Sequence, residues 1–431
     1  MPVNVAIVGA GAGGLAAAYD LSRAGCRVTI FEAEDHVGGL ASGFKTDRWA
    51  WTVERYYHHW FASDRHILAL IDELGWRDRV MFPRPLTAVY HGGRFYPLDS
   101  PQAVLRFPGF GFLDAMRFGL VTLYLRLTPD WRPLERYTAD EWLRRWYGPR
   151  VYDIVWRPLL EGKFGPHFDQ VNMAWFWARI KARTPRLGTF IGGFQAFMDG
   201  LADYLRDRGV VIRLSAPVER IEPTEEGIAV LAAGQRESFD HCLVTTSPGL
   251  LARLAPSLPP SYLQGLLSLK SMGAVVLILA LRHRLSEDGI YWHNLPKEAG
   301  FPFLALVEHT NYLKPEYFGG DHIVYCGDYL DPDHEYFSLS KEELLERFLP
   351  ALKRFNPRFE PDWVRECWLF RTPYAQPIPL VNHSQAIPDV RTPIRGLWLA
   401  SMSQVYPWDR GTNFAVEIGR RVAREILADA S

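Results

Sequence analysis

Three features near the start of the 431-residue chain predict an α/β fold built on a parallel sheet. Residues 3–8 form a short apolar run without polar alternation, the pattern of a strand buried on both faces. Gly9, Gly11 and Gly14 follow at once and open an Ala- and Leu-rich stretch over residues 15–23, a glycine turn leading into a helix. A second apolar run at 27–31 closes the strand–helix–strand unit, with Glu32 at its end. This is the Rossmann-like order of a dinucleotide site. Gly9 permits the tight turn, Gly11 lets backbone approach a pyrophosphate at the helix N-terminus, Gly14 allows helix and strand to pack closely, and Glu32 can accept from a ribose.

The later elements follow from periodicity. Ile67, Leu68, Leu70, Ile71 and Leu74 recur at helical spacing over residues 64–74. From 86 to 188 the composition turns to Trp, Phe, Arg and Pro, with helical segments at 112–127, 139–147 and 174–181, which predicts an inserted helical lobe. Gly192 and Gly193 open a helix carrying Phe194, Phe197, Met198, Leu201 and Leu205, and strands are predicted at 210–214, 228–231 and 241–245. Apolar strands at 274–281 and 322–325 flank a helix at 341–355, and a strand at 396–400 leads through Arg410 and Gly411 into a closing helix at 414–428.

Composition narrows the classes of function. The chain is longer than one hydrophobic core usually grows, so two domains are expected. It is 48% hydrophobic and 23% charged with a net charge of −1, which excludes global disorder and argues against nucleic acid as a partner. Its four cysteines are far apart and form no CxxC, so neither a disulfide framework nor a metal site is expected. No export signal and no apolar run of spanning length is visible, and a cytoplasmic location is the expectation. The 14% aromatic content suits either an aromatic core or a bulky ligand.

After Glu32 come Ala33, Gly38, Gly39 and Leu40, and here the sequence resembles the flavin-containing amine oxidase superfamily, which includes protoporphyrinogen oxidases, phytoene desaturases and UDP-galactopyranose mutases. Residues 192–194, 216–221, 240–248 and 396–413 are similar to its later motifs, in order. The resemblance implies a Rossmann-like FAD-binding domain over 1–85, 189–255 and 380–431, and a discontinuous α+β substrate domain with a helical lobe over 86–188 and 256–379. It places Gly9, Gly11, Ala12, Gly13, Gly14, Glu32, Ala33, Gly38, Gly39, Leu40, Tyr57, Val218, Thr245, Thr412 and Asn413 at the FAD. Leu40 stands where many relatives carry an arginine, so phosphate contact there must come from backbone N–H groups or another basic residue. No cysteine lies within 401–413, so the FAD is expected to be non-covalent.

The resemblance sets Tyr56, Tyr57, His58 and His59 beside the flavin, where a histidine pair can act as acid or base or merely hold backbone carbonyls. Tyr374 is the expected substrate-lining aromatic, with Gln376 beside it. Arg157, Lys163, Arg179, Lys181 and Arg183 can cradle an acidic group or stand as solvated helix charges. Residues 112–127, apolar around most of their circumference, fit peripheral membrane contact, a substrate-channel cap or burial in the lobe. The activity implied is an FAD-dependent dehydrogenase or oxidase acting on a C–C or C–N bond of a bulky, apolar or cyclic small molecule. The alternative is a non-redox flavoenzyme of the mutase type acting on a nucleotide- or lipid-linked sugar.

Overall fold

The computed structural model describes residues 2–430. Its central feature is a five-stranded parallel sheet in the order Val211–Arg213, Arg27–Phe31, Asn4–Val8, His241–Val244, Leu397–Leu399. Strands that are neighbours in space are thus up to about 235 residues apart in sequence, as the register of Val5 with His241 shows.

The unbroken apolar run of the first strand has a direct cause. Val5 and Ile7 point into a core made with the helices Ala12–Arg23, Phe194–Arg206 and Thr412–Asp429. Ala6 and Val8 point the other way, into a core shared with Ile221, Ile228 and Val230 of a three-stranded antiparallel sheet, Val218–Thr224, Gly227–Ala232 and Gln235–Phe239. Both faces are covered, so neither parity of residue can be polar. The first and last helices cross at backbone contact: a Cβ on Gly419 would lie 2.2 Å from the Gly13 carbonyl oxygen.

A seven-stranded sheet lies beyond this unit, in the order Val364–Pro377, Ser271–Leu281, His322–Leu330, Ala305–Glu308, Ile290–Asn294, Leu86–His91, Arg94–Pro97. Its strand Ser271–Leu281 repeats the two-faced logic. Val275, Leu277 and Leu279 pack with Leu344 and Phe348 of the helix Lys341–Leu352, while Val276, Ile278 and Ala280 pack with Trp49 and Tyr291.

The helical lobe contains Phe112–Leu127, Ala139–Tyr147 and Met173–Ala182, with a π-helical stretch Tyr152–Trp156 running into Arg157–Phe164. Its core is aromatic: Trp156 meets Phe176 edge-on at 4.9 Å between ring centroids, and Phe164 meets Trp175 at 4.7 Å. Much of the aromatic content is therefore core. The helix Phe112–Leu127 departs from the burial reading. Ala115 and Leu125 face inward, but Phe112 is 72% exposed, Leu113 81%, Leu120 62% and Leu127 71%. Among the described residues no helix is long and apolar enough to cross a membrane.

Candidate active site

The glycine turn is shaped for a ligand. Gly9 has φ +107, which only glycine adopts freely, and a Cβ on Gly14 would strike the Gly9 carbonyl oxygen at 2.1 Å. A Cβ on Gly11 would meet nothing nearer than Gly39 Cα at 3.9 Å, so the space over Gly11 is open. The first-turn N–H groups of Ala12, Gly13 and Gly14 have no carbonyl one turn back within their helix, and they present donors there. Gly38 donates its N–H to the Ala10 carbonyl at 2.9 Å and bridges Gly11, which brings Gly39 and Leu40 over the turn. Glu32 accepts from the Ala10 N–H at 2.7 Å and from the Glu34 N–H at 3.0 Å. The Ser215 and Ala216 N–H groups donate to the Glu34 and Glu32 carbonyls, setting the segment before Val218 beside Glu32 and Ala33. These residues fit a dinucleotide: an open cradle, free amides and an acidic side chain at the strand end.

Several of the expected site residues have other partners for their side chains. The Thr245 hydroxyl donates to the Val8 and Gly9 carbonyls, so its side chain braces the turn from behind. Thr412 Oγ1 accepts from the Trp60 indole at 2.8 Å, and Asn413 Oδ1 accepts from the His66 N–H at 2.9 Å, at the start of the helix Arg65–Glu73. Both side chains are buried, and these contacts tie the start of the closing helix to the strand Trp60–Phe61 and to the helix Arg65–Glu73. Tyr374 hydrogen-bonds Ser403 through its hydroxyl, accepting from the Ser403 N–H at 3.1 Å. The cause is a bulge: Met272 pairs with Gln376 but Ala274 with Thr372, and this irregularity turns Tyr374 away while Thr372 and Ala375 line a cleft.

That cleft is also lined by Leu40, Tyr57, His58, Asp328, Tyr329 and Arg410, six positions from four distant stretches of chain. Tyr57 is fixed edge-on against Trp292 at 4.6 Å, and burial pushes its phenol up to about 12. Burial lowers His58 to about 4, and its Nδ1 is held by the Tyr56 carbonyl. Burial, with Arg183 adding to it, lowers His59 to about 3, and its Nδ1 has no partner among the described residues. The neutral-range titration expected of this pair is therefore absent, because an imidazolium in so enclosed a place has lost its hydration. The linkage has a definite sign. Unfolded histidines gain protons near 6.5 and the folded ones only near 4 and 3, so this pair's share of stability is intact above 6.5 and lost as pH falls towards 4. Thermal melts of the parent are expected to weaken over that range, and less steeply in the double variant His58→Gln, His59→Gln; parallel curves would refute the burial.

Asp328 is the cleft's own carboxyl. Burial raises it to about 7, and its Oδ1 has no partner among the described residues. Asp409 organises the basic side. It accepts from the Trp175 indole at 3.1 Å, and lies 3.6 Å from Lys163 and 3.5 Å from Arg179. Burial alone would raise this carboxyl, but Lys163 and Arg179 outweigh it and hold it below the usual range. Of the five basic candidates, Lys163, Arg179 and Arg183 gather here. Arg157 pairs with Glu161 on the surface, and Lys181 donates to the Arg126 and Thr128 carbonyls. Asp409, Asp328 and Tyr329 were not singled out from sequence, and Arg410 was named only as part of the run before the closing helix; the one signal was a charged pair directly before Gly411. Asp409→Asn is expected to lower stability by about 3 kcal/mol in urea denaturation, since it strands two enclosed cations. Glu161→Gln, which breaks an exposed helix pair, is expected to cost under about 0.5 kcal/mol.

Known proteins share this architecture. The chain is 23% identical to a 15-cis-phytoene desaturase of Glycine max over all of its length and 80% of the relative's. It is 27% identical to a mitochondrial protoporphyrinogen oxidase of Nicotiana tabacum over 44% of the chain and 38% of that relative. A solved structure of reduced UDP-galactopyranose mutase superposes with a TM-score of 0.78 at 16% identity, covering 99% of this chain and 96% of that one, which shows a shared fold. The family described as flavin containing amine oxidoreductase matches residues 12–427, and with the glycine cradle in place the conclusion is plain: the chain is a flavin-dependent oxidoreductase belonging to that family.

Proposed function

We propose that the chain binds FAD non-covalently and transfers a hydride between it and a C–C or C–N bond of a bulky, partly cyclic or apolar small molecule. The observation that carries this reading is the cleft beside Leu40 and Tyr57, aromatic-walled and continuous with the glycine cradle's loop. A bound flavin supplies the hydride acceptor, so the protein's task is binding, orientation and proton handling. Tyr57 and Tyr329 offer ring faces for a flat or apolar substrate, with Tyr57 locked by Trp292 and Tyr325. His58, neutral, can accept or donate a hydrogen bond but holds no charge near neutrality. Asp328 is the group able to take a proton there. The test is anaerobic addition of candidate substrates to the purified yellow protein. Bleaching of the flavin absorbance supports the reading. Turnover that requires prior reduction and leaves the flavin unchanged overall would favour the mutase type. Acid precipitation is expected to release all the flavin, and colour left in the pellet would contradict non-covalent binding.

We also propose that the exposed face of Phe112–Leu127 rests on an anionic lipid surface. Leu113, Leu120 and Leu127 recur every seven residues along it, all exposed. Residues 86–188 carry 15 Lys and Arg against 9 Asp and Glu in a chain whose total is −1, so the lobe that bears this face has a net positive charge. Phosphatidylglycerol vesicles are expected to co-sediment the protein, with loss of binding in the double variant Leu113→Glu, Leu120→Glu and at high salt. Equal behaviour of parent and variant would defeat the proposal.

A further inference from the structure

Resting on the reading of the cleft as the substrate site, we infer that its substrate carries an anionic group, a carboxylate or a phosphate, held between Arg179, Arg183 and Arg410. The charges converging there do not balance. Lys163, Arg179, Arg183 and Arg410 stand around a single ionised carboxylate, Asp409, and the side chains of Lys163 and Arg179 are each only 12% exposed. A guanidinium offers five donors. Arg179 makes one ion pair, at 3.5 Å, and lies over the Trp175 ring, and its guanidinium has no hydrogen-bond acceptor besides Asp409 among the described residues. The Arg183 side chain makes none among the described residues. Arg410 reaches Gln376 and the Tyr329 hydroxyl, both uncharged.

Elsewhere the fold treats an enclosed arginine differently. Arg420, 19% exposed at its side chain, donates four hydrogen bonds to two carboxylates, Asp20 and Glu73. Enclosed cations left without counter-charge destabilise a fold unless a ligand supplies the charge. Their placement fits one ligand group. Arg179 and Arg183 lie one turn apart at the C-terminal end of the helix Met173–Ala182, and Arg410 directly precedes the helix Thr412–Asp429. Arg410 lines the cleft. Arg183 is open to solvent and acts electrostatically with Arg179 and Asp409 and on His59. The substrate so described has an apolar or ring portion against Tyr57 and Tyr329 and an acidic end on the arginines.

The test uses the FAD-bound protein at constant ionic strength, titrated in separate arms with methylphosphonate and with propionate while the visible flavin spectrum is followed. At least one arm is expected to give a saturable spectral change, and the arm that saturates at lower concentration identifies phosphate or carboxylate. Arg183→Gln and Arg179→Gln are expected to weaken that binding at least about ten-fold with FAD content unchanged, whereas Arg206→Gln, at an exposed side chain ending the helix Phe194–Arg206, leaves it as in the parent. No saturable change in either arm, or equal affinity in the arginine variants, overturns the inference. So does loss of FAD from Arg183→Gln, since the arginines would then serve the cofactor. Should the purified chain bind no flavin, the functional reading falls, and the same titration followed by calorimetry still decides whether the arginines bind an anion.

Discussion

Gly11→Val yields a folded protein that retains less than about a tenth of the parental flavin. The backbone at Gly11 has φ −75 and ψ −179, an extended conformation that valine accepts, and its Cβ would meet Gly39 Cα at an ordinary contact distance of 3.9 Å, without a clash. Nothing in the chain resists the substitution. The branched side chain fills the volume where a pyrophosphate must approach the amides of Ala12, Gly13 and Gly14, so the loss falls on the ligand alone. Gly14→Ala is the contrast: its methyl would collide with the Gly9 carbonyl at 2.1 Å, so the turn itself must deform and stability falls with cofactor binding. Flavin absorbance per protein and a melting curve, measured on both variants, separate the two. Full flavin content in Gly11→Val would remove the cradle from the cofactor site.

Asp328→Asn slows substrate-driven flavin reduction by about 10²-fold, the usual contribution of a positioned acid or base. It also removes an inflection close to pH 7, where burial sets the parental carboxyl. Around it, Tyr57 stays protonated and Arg410 stays charged near neutrality. In His58→Gln the inflection is retained, because that imidazole titrates near 4. Stopped-flow reduction across about pH 5 to 9 reads both. An inflection that disappears with His58 and persists without Asp328 would reverse the assignment.

These two residues differ in how they could be found. Gly11 is legible because its function depends on local geometry: a turn, a helix N-terminus and a strand adjacent in sequence. Asp328 sits mid-strand in His322–Leu330 with no neighbouring motif, and only the sheet's register and burial turn an ordinary aspartate into a group poised near 7. The same holds for Tyr374. The bulge opposite Gly273 that redirects it depends on pairing between strands about 100 residues apart.

By itself the sequence determined the strand–helix–strand unit, the glycine cradle, the buried apolar strands and the closing helix, because each is dictated by short-range periodicity and by what glycine alone permits. Tertiary structure decided that Thr412 and Asn413 tie the closing helix to a strand and to a second helix, that the histidine pair stays neutral, and that Lys163, Arg179, Arg183 and Arg410 converge on Asp409. Hydrogen-bond partners and protonation depend on which distant groups a fold brings within a few ångströms and how much water it removes, and no local pattern encodes either.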